Sequence, residues 1–419
     1  MAGLRAWAGS YGRLLRHPVL RRVLPGMLIS ALGDGMSMVA VAWLALAIAR
    51  PGQAGVWIGL AVAGYALPAP VGAALLAGVM RRLTASRLVA ADATLRAASL
   101  GTVAVLAAAG RLTPLVYVLL LAVSSLLHAW GSAGMYTLIA VVLPEQDRVT
   151  GNALLSTFNQ AAFILGPALA GGLTTLTGPG WVIGADAASF AVLAIACWRG
   201  AAQPVTGSTQ AAESTSGGWR VIIDRPRLLG LIIVTCAFFF LYGPVEVALP
   251  VHVAEGLHGS PSLLGLYWMV FGIGATVGAM GAAALRNRSP RKVVAWIIIG
   301  WGTALLPLGL TEAIVPGLIG LAAGGLIYGP FSAISTALFQ AGTPSQALSR
   351  VLAVRTALTT PSTALGTLLG GPVVAVLGGR RTLLISGLLT IALGTAVAFA
   401  VRQRGPDTYP ALTPDTRPQ

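Results

Sequence analysis

The sequence predicts an all-α integral membrane protein: twelve transmembrane helices in two pseudo-symmetric halves of six. Three observations carry that prediction. The 419 residues are 56% hydrophobic and only 9% charged, with a mean hydropathy of +0.82. The apolar residues fall in runs long enough to cross a bilayer, which takes about 20 residues as a helix. Several residues of one half recur in the other at a constant displacement. A soluble chain of this length would need more polar surface. In hydrocarbon the backbone must satisfy its own hydrogen bonds, which leaves helices or a closed barrel. The runs are rich in Ala, Leu, Val and Gly and do not alternate in polarity, so helices are expected.

In chain order the spans are expected at 23–48, 55–80, 88–109, 113–142, 152–176 and 181–198, then 228–250, 262–285, 290–311, 313–342, 350–376 and 382–402. The first apolar run is full length and lacks a cleavage site, so no cleavable signal peptide is expected. Between the two sets of six, QPVTGSTQAAESTSGGWR at 203–220 is too polar for a packed core and reads as a linker. The domains expected are therefore an amino-terminal half (1–200), a cytoplasmic linker (201–227), a carboxy-terminal half (228–402) and a disordered cytoplasmic tail (403–419).

A net charge of +15 would suggest nucleic acid in a soluble protein. Here the basic residues sit at the ends of spans, so no nucleic-acid partner is expected. Arg5, Arg13, Arg16, Arg21 and Arg22 precede span one, and Arg81, Arg82 and Arg87 follow span two. Arg199, Arg220, Arg225 and Arg227 border the linker, while Arg286, Arg288, Arg291 and Lys292 follow span eight. If the spans alternate, all of these lie on one side; the other side offers only Arg50, Arg111, Arg380 and Arg381. Positive residues stay cytoplasmic, which puts both termini and the linker there, in a multi-pass protein of the plasma membrane.

Leu165, Gly166, Leu169, Gly171 and Gly178 recur as Leu365, Gly366, Leu369, Gly371 and Gly378, each displaced by 200 residues. In both halves the last glycine is expected to end a span. Six plus six helices around a linker, with this repeat, indicate a duplication and match the two-halved architecture of the major facilitator superfamily. The segments ISALGDGMS, AADATLRA, GNALLSTFNQAAFILGPALAGG and GADAASF resemble the drug-efflux branch of that superfamily, which includes macrolide-efflux and enterobactin-exporter-like members. The resemblance covers most of the chain and is most specific in the amino-terminal half. It implies proton-driven export of a small molecule by a protein that is not an enzyme and needs no cofactor. No GxxxxGK[ST] motif is present to bind ATP.

In span five, Ala162, Gly166 and Ala170 form one small face, of the kind that lets helices approach closely in lipid. Pro167 removes a helix hydrogen bond and is expected to bend the helix. Gly166, Pro167, Gly171 and Gly172 resemble the antiporter signature G-P-x-x-G-G with one extra residue in the spacing. The resemblance implies a hinge and leak seal; generic packing is the alternative. Gly366 has no proline beside it, so the kink is expected in one half only. The loop after span two, GVMRRLTASR, lacks the acid of the superfamily's gating motif. Plain positive-inside topology explains its arginines better than a charge lock.

Charges within spans are costly and are therefore candidate sites. Asp34 lies about 17 Å along span one from Val23 at 1.5 Å per residue, near the middle of a core about 30 Å thick. Ser30, Ser37 and Met38 share its face, and no basic residue lies near it in sequence. An unpaired carboxyl at that depth is expected to take up a proton, making Asp34 the candidate proton-coupling residue. Alternatively it bonds a neighbouring helix. Asp92 and Arg96, spaced i,i+4 in span three, are a candidate structural pair or switch. Asp186 is expected to make an interhelical bond, Glu246 to border water near the outer end of span seven, and Arg355 to snorkel to the cytoplasmic surface.

Met38, Trp130, Tyr136, Asn159, Tyr242, Glu246, Trp268 and Phe271 are the candidates to line a cavity for bulky amphipathic cargo. The four histidines are scattered and the two cysteines isolated, so neither a metal site nor a disulfide is expected. The reading that results is a proton-coupled exporter of hydrophobic or amphipathic molecules such as drugs, macrolides or siderophores. It is expected to be monomeric, with small-molecule cargo, protons and lipid as its partners. The alternatives are an importer or lipid translocator on the same fold, or a membrane sensor.

Overall fold

The computed structural model describes residues 17–199, 215–285 and 287–403, and among these every regular element is a helix. Arg5, Arg13, Arg16, Arg286 and the tail from 404 lie outside the described residues. Ten single spans run Pro18–Ile48, Ala54–Leu75, Ala85–Ala108, Pro114–Val142, Glu145–Thr177, Pro179–Arg199, Pro226–Gly256, Pro261–Leu285, Pro290–Leu310 and Ile314–Gly342. An eleventh helix, Leu348–Gln403, is 56 residues long and breaks at Gly378, where φ is 79°. It is therefore two spans, 348–377 and 379–403, which makes twelve.

The local chemistry explains the ends. Proline opens spans one, seven, eight and nine, where its missing N–H costs no helix bond. Span five begins at Glu145, ahead of its apolar run, because Glu145 and Asp147 suit the positive end of the helix dipole. Gly178 and Gly378, the repeated pair, end spans five and eleven with φ of 90° and 79°. That conformation is open to glycine and strained for other residues. The repeat also appears as a break within spans four and ten, at Leu126–Leu127 and Gly329–Pro330.

The two halves meet near the end of the bundle away from the termini. Gly171 of span five would place a Cβ 2.7 Å from the Pro261 carbonyl oxygen and 2.8 Å from the Ser262 Cα of span eight. Thr175 and Ser262 hydroxyls lie 2.9 Å apart on the same seam. On the opposite flank, Gly55 and Gly59 of span two face Gly371 and Thr367 of span eleven, with a Cβ at Gly59 3.0 Å from the Thr367 carbonyl oxygen. Missing side chains let these backbones touch, as expected where packing drives association in lipid.

Three features add to those expectations. The linker expected at 201–227 contains a helix, Thr215–Ile223, whose neighbour contacts bury Ile222 among Leu228, Phe339 and Val351. Span eleven also carries prolines, Pro361 and Pro372, though none beside Gly366. Span five remains one helix through Pro167. Proline cannot donate to the Phe163 carbonyl four residues back. That carbonyl oxygen lies 3.3 Å from where a Cβ on Gly272 of span eight would be.

Candidate functional site

The candidate site lies within the amino-terminal half, where spans one, three, four, five and six enclose a cavity of about 270 Å³. Asp34 and Asp92 reach it from spans one and three, His128 and Tyr136 from span four, Phe158 and Asn159 from span five, and Phe190 from span six. Its wall is therefore mixed: two carboxylates, an imidazole, an amide and aromatic rings.

Asp34 is not unpaired, as the sequence suggested. Its Oδ1 accepts hydrogen bonds from Arg96 Nη1 at 2.7 Å and from the Tyr65 hydroxyl at 2.7 Å. Arg96 Nη1 also donates to the Tyr65 oxygen at 3.0 Å. The side chain of Arg96 is 2% exposed, whereas that of Asp34 is 37% exposed and faces the cavity. The guanidinium is held between the rings of Tyr65 and Phe190, 5.3 and 4.9 Å from their centroids. Such stacking suits a planar, delocalised cation.

The i,i+4 partner, Asp92, is the looser one. Its Oδ1 lies 3.5 Å from Arg96 Nε, and neither atom has a hydrogen-bond partner among the described residues. The space for Asp92 comes from Gly131 of span four, whose missing Cβ would overlap Asp92 Oδ2. One buried cation thus serves two carboxylates, tightly bonded to Asp34 and imperfectly to Asp92. Asp186 is a third carboxylate within electrostatic reach of Arg96 and Asp34. It is buried at 1% exposure and its Oδ2 accepts from Ser37 Oγ at 2.7 Å, joining spans one and six.

Of the residues proposed to line a cavity, Tyr136 and Asn159 do so beside Asp34 and Asp92. Others are placed elsewhere. Trp130 is buried and its indole N–H donates to the Gly72 carbonyl at 3.3 Å, fastening span four to span two. Trp268 and Phe271 are buried edge to face, and Phe271 also packs against Trp301. Met38 is partly buried against the core. Tyr242 stacks on Tyr328, with ring centroids 6.4 Å apart, in the carboxy-terminal half.

Glu246 is deeper than expected, because span seven continues through a π-turn to Gly256. Its Oε2 accepts from Thr367 Oγ1 of span eleven at 2.9 Å. Arg355 does not simply snorkel: it donates to Ser335 and Thr336 hydroxyls of span ten, both at 2.8 Å. Of the motif in span five, a Cβ on Gly166 would sit 2.5–2.6 Å from Gly35 backbone atoms of span one. Pro167 turns its carbonyl to Gly265 of span eight, and Gly171 lies on the seam. Gly172 faces open space, so it is not a packing residue.

His128 was missed. An ionisable side chain within an apolar span is the available signal, but no second histidine stands near it in the sequence.

Residues 23–288 match the family described as Major Facilitator Superfamily. The multidrug efflux pump Tap of Mycobacterium tuberculosis is 33% identical over 408 residues, covering 89% of this chain and 91% of Tap. The enterobactin exporter EntS of Citrobacter koseri is 23% identical over 295 residues, covering 69% of this chain and 70% of EntS. Among solved structures, the nucleoside transporter NupG superposes with a TM-score of 0.70 at 15% identity, covering 91% of this chain and 99% of NupG. A bacterial homologue of the human lysosomal transporter Spinster superposes with a TM-score of 0.69 at 12% identity, covering 92% of this chain and 96% of that one. With its twelve helices, repeated halves and family match, the chain is a multi-pass membrane transporter of the Major Facilitator Superfamily.

Proposed function

We propose that this transporter exports hydrophobic or amphipathic small molecules from the cytoplasm, driven by proton entry. The observation that carries the proposal is the Asp34–Arg96 pair at the cavity wall, with its cation sealed and its carboxylate half open. A proton on Asp34 removes the charge that holds Arg96. The guanidinium then relaxes toward Asp92, already 3.5 Å from Nε and incompletely bonded. That step exchanges a bond between spans one and three for one within span three, and it frees Tyr65 of span two. A cationic group on the cargo competes for the same Asp34 oxygens, so proton and cargo occupy the site in turn.

The seam between the halves lies at the end away from the termini. With both termini cytoplasmic, as the arginine distribution argues, this is the arrangement that loads from the cytoplasm. Gly166 against Gly35 and Gly171 against Pro261 are the close contacts about which spans five, one and eight move. The amino-terminal half (1–200) and the carboxy-terminal half (228–402) supply each other's interface, so the working unit is a monomer in the plasma membrane. The similarity to Tap and EntS supports drugs, macrolides and siderophores as the cargo classes to test.

The test is uptake into everted membrane vesicles under an imposed proton gradient, with a panel of dyes, macrolides and siderophores. Export predicts accumulation that collapses with the gradient. Loss of preloaded cargo under the same gradient would identify an importer. Phospholipid flip without drug flux would identify a lipid translocator, and absence of gradient-dependent movement of any cargo would reject a transport role driven by protons.

A further inference from the structure

The helix Thr215–Ile223 lies at the end of the bundle that holds the starts of spans seven and eleven. It is well fastened there. Ile222 is fully buried with Leu228, Phe339 and Val351. A Cβ on Gly218 would lie 2.5 Å from the Arg350 carbonyl oxygen, so the helix backbone rests directly on span eleven. Arg225 Nη1 donates to the Gly342 carbonyl at the end of span ten, at 2.5 Å.

One apolar ridge of this helix is left uncovered by the described residues. Trp219 and Ile223, four residues apart and so on one face, are 42% and 48% exposed. Arg220 and Arg227 are exposed beside them, with Asp224 the one acid in the segment. Span seven starts at Pro226, so the ridge stands at the height where that span enters the bilayer. On span seven Ile233, two turns in, is exposed as a lipid-facing residue is. An indole and an aliphatic chain at this level, next to arginines, match the requirements of the membrane interface: the ring bridges water and acyl chain, and the cations meet headgroup phosphates.

We propose that Thr215–Ile223 is a membrane-surface anchor that binds anionic phospholipid. Trp219 and Ile223 enter the boundary between headgroups and acyl chains, and Arg220 and Arg227 hold the anionic headgroups. Anionic headgroups are the occupant the charge selects, because a zwitterionic surface gives the arginines no net attraction. The helix is fixed to spans ten and eleven, so lipid bound there sets the height of their ends in the membrane. Neither arginine belongs to the transport site.

The full-length protein is reconstituted in phosphatidylcholine vesicles and in vesicles of equal parts phosphatidylcholine and phosphatidylglycerol. Binding of spin-labelled phosphatidylglycerol and phosphatidylcholine is compared for wild type and the Arg220→Gln/Arg227→Gln double variant. The expected result is a severalfold preference of wild type for phosphatidylglycerol that the double variant loses while remaining folded. Equal association of both lipids with wild type, or an unchanged preference in the double variant, overturns the proposal. In parallel, Trp219→Phe removes one of ten tryptophans from the emission. The signal lost should be the part quenched by brominated lipid. If it is instead the part quenched by iodide in the water, Trp219 faces solvent or a soluble partner and the anchor is refuted.

Discussion

Asp34 and Arg96, 62 residues apart, are joined by a 2.7 Å hydrogen bond between spans one and three. Asparagine at position 34 keeps the shape and an acceptor oxygen but abolishes both charge and proton uptake. Asp34→Asn is expected to fold and to retain some cargo binding while losing gradient-driven export by more than about tenfold, the scale of one lost charge-assisted interaction. Proteoliposome flux with and without a proton gradient checks this. Full proton-driven transport by the variant would remove Asp34 as the coupling residue.

Arg96 is the cation shared by two carboxylates, Asp34 and Asp92, and its side chain is 2% exposed. Its removal leaves the buried Asp92 and the partly exposed Asp34 without a cation, which costs at most about 3–5 kcal/mol, the loss for a fully buried pair. Arg96→Met should therefore lower the thermal unfolding temperature of the purified protein, and Asp34→Asn/Arg96→Met should recover part of the loss. Arg96→Lys should restore stability better than transport, because an ammonium cannot present a planar fork between two rings. Equal stability of Arg96→Met and wild type would contradict the geometry.

Gly166 and Gly35 touch through their backbones, so a larger side chain at either position must separate spans five and one. Gly166→Leu is expected to reach the membrane in near-normal amount and to transport poorly. Gly172→Ala, in open space, should behave as wild type. Expression-matched flux measurements distinguish the two. Transport by Gly166→Leu at the wild-type rate would reject close packing as the function of the motif.

The orientation follows from the arginines. A reporter enzyme active only outside the cytoplasm is expected to be silent when fused to either terminus and active when inserted at Gly110, in the turn between spans three and four. Activity at a terminus would invert the topology, and with it the direction assigned to the cavity.

The span count, the two halves and the helix-ending glycines were legible in the sequence, because the bilayer imposes them locally. A helix must be apolar for its whole crossing, and a positive φ at Gly178 and Gly378 is a property of single residues. The i,i+4 spacing of Asp92 and Arg96 was legible because it is a property of one helix. What the sequence could not state is which helix faces which. Arg96 sits beside Asp92 in the chain, yet tertiary packing aims its guanidinium at Asp34 and Tyr65. Trp130 and Phe271 look like cavity rings in a list of aromatics, but helix rotation turns one to the Gly72 carbonyl and the other into a buried ring cluster. His128, isolated in the sequence, reaches the cavity because span four carries it to the wall shared with Asp34. In lipid, side-chain polarity says only that a residue should avoid hydrocarbon; the partner that lets it do so is chosen by the assembled bundle.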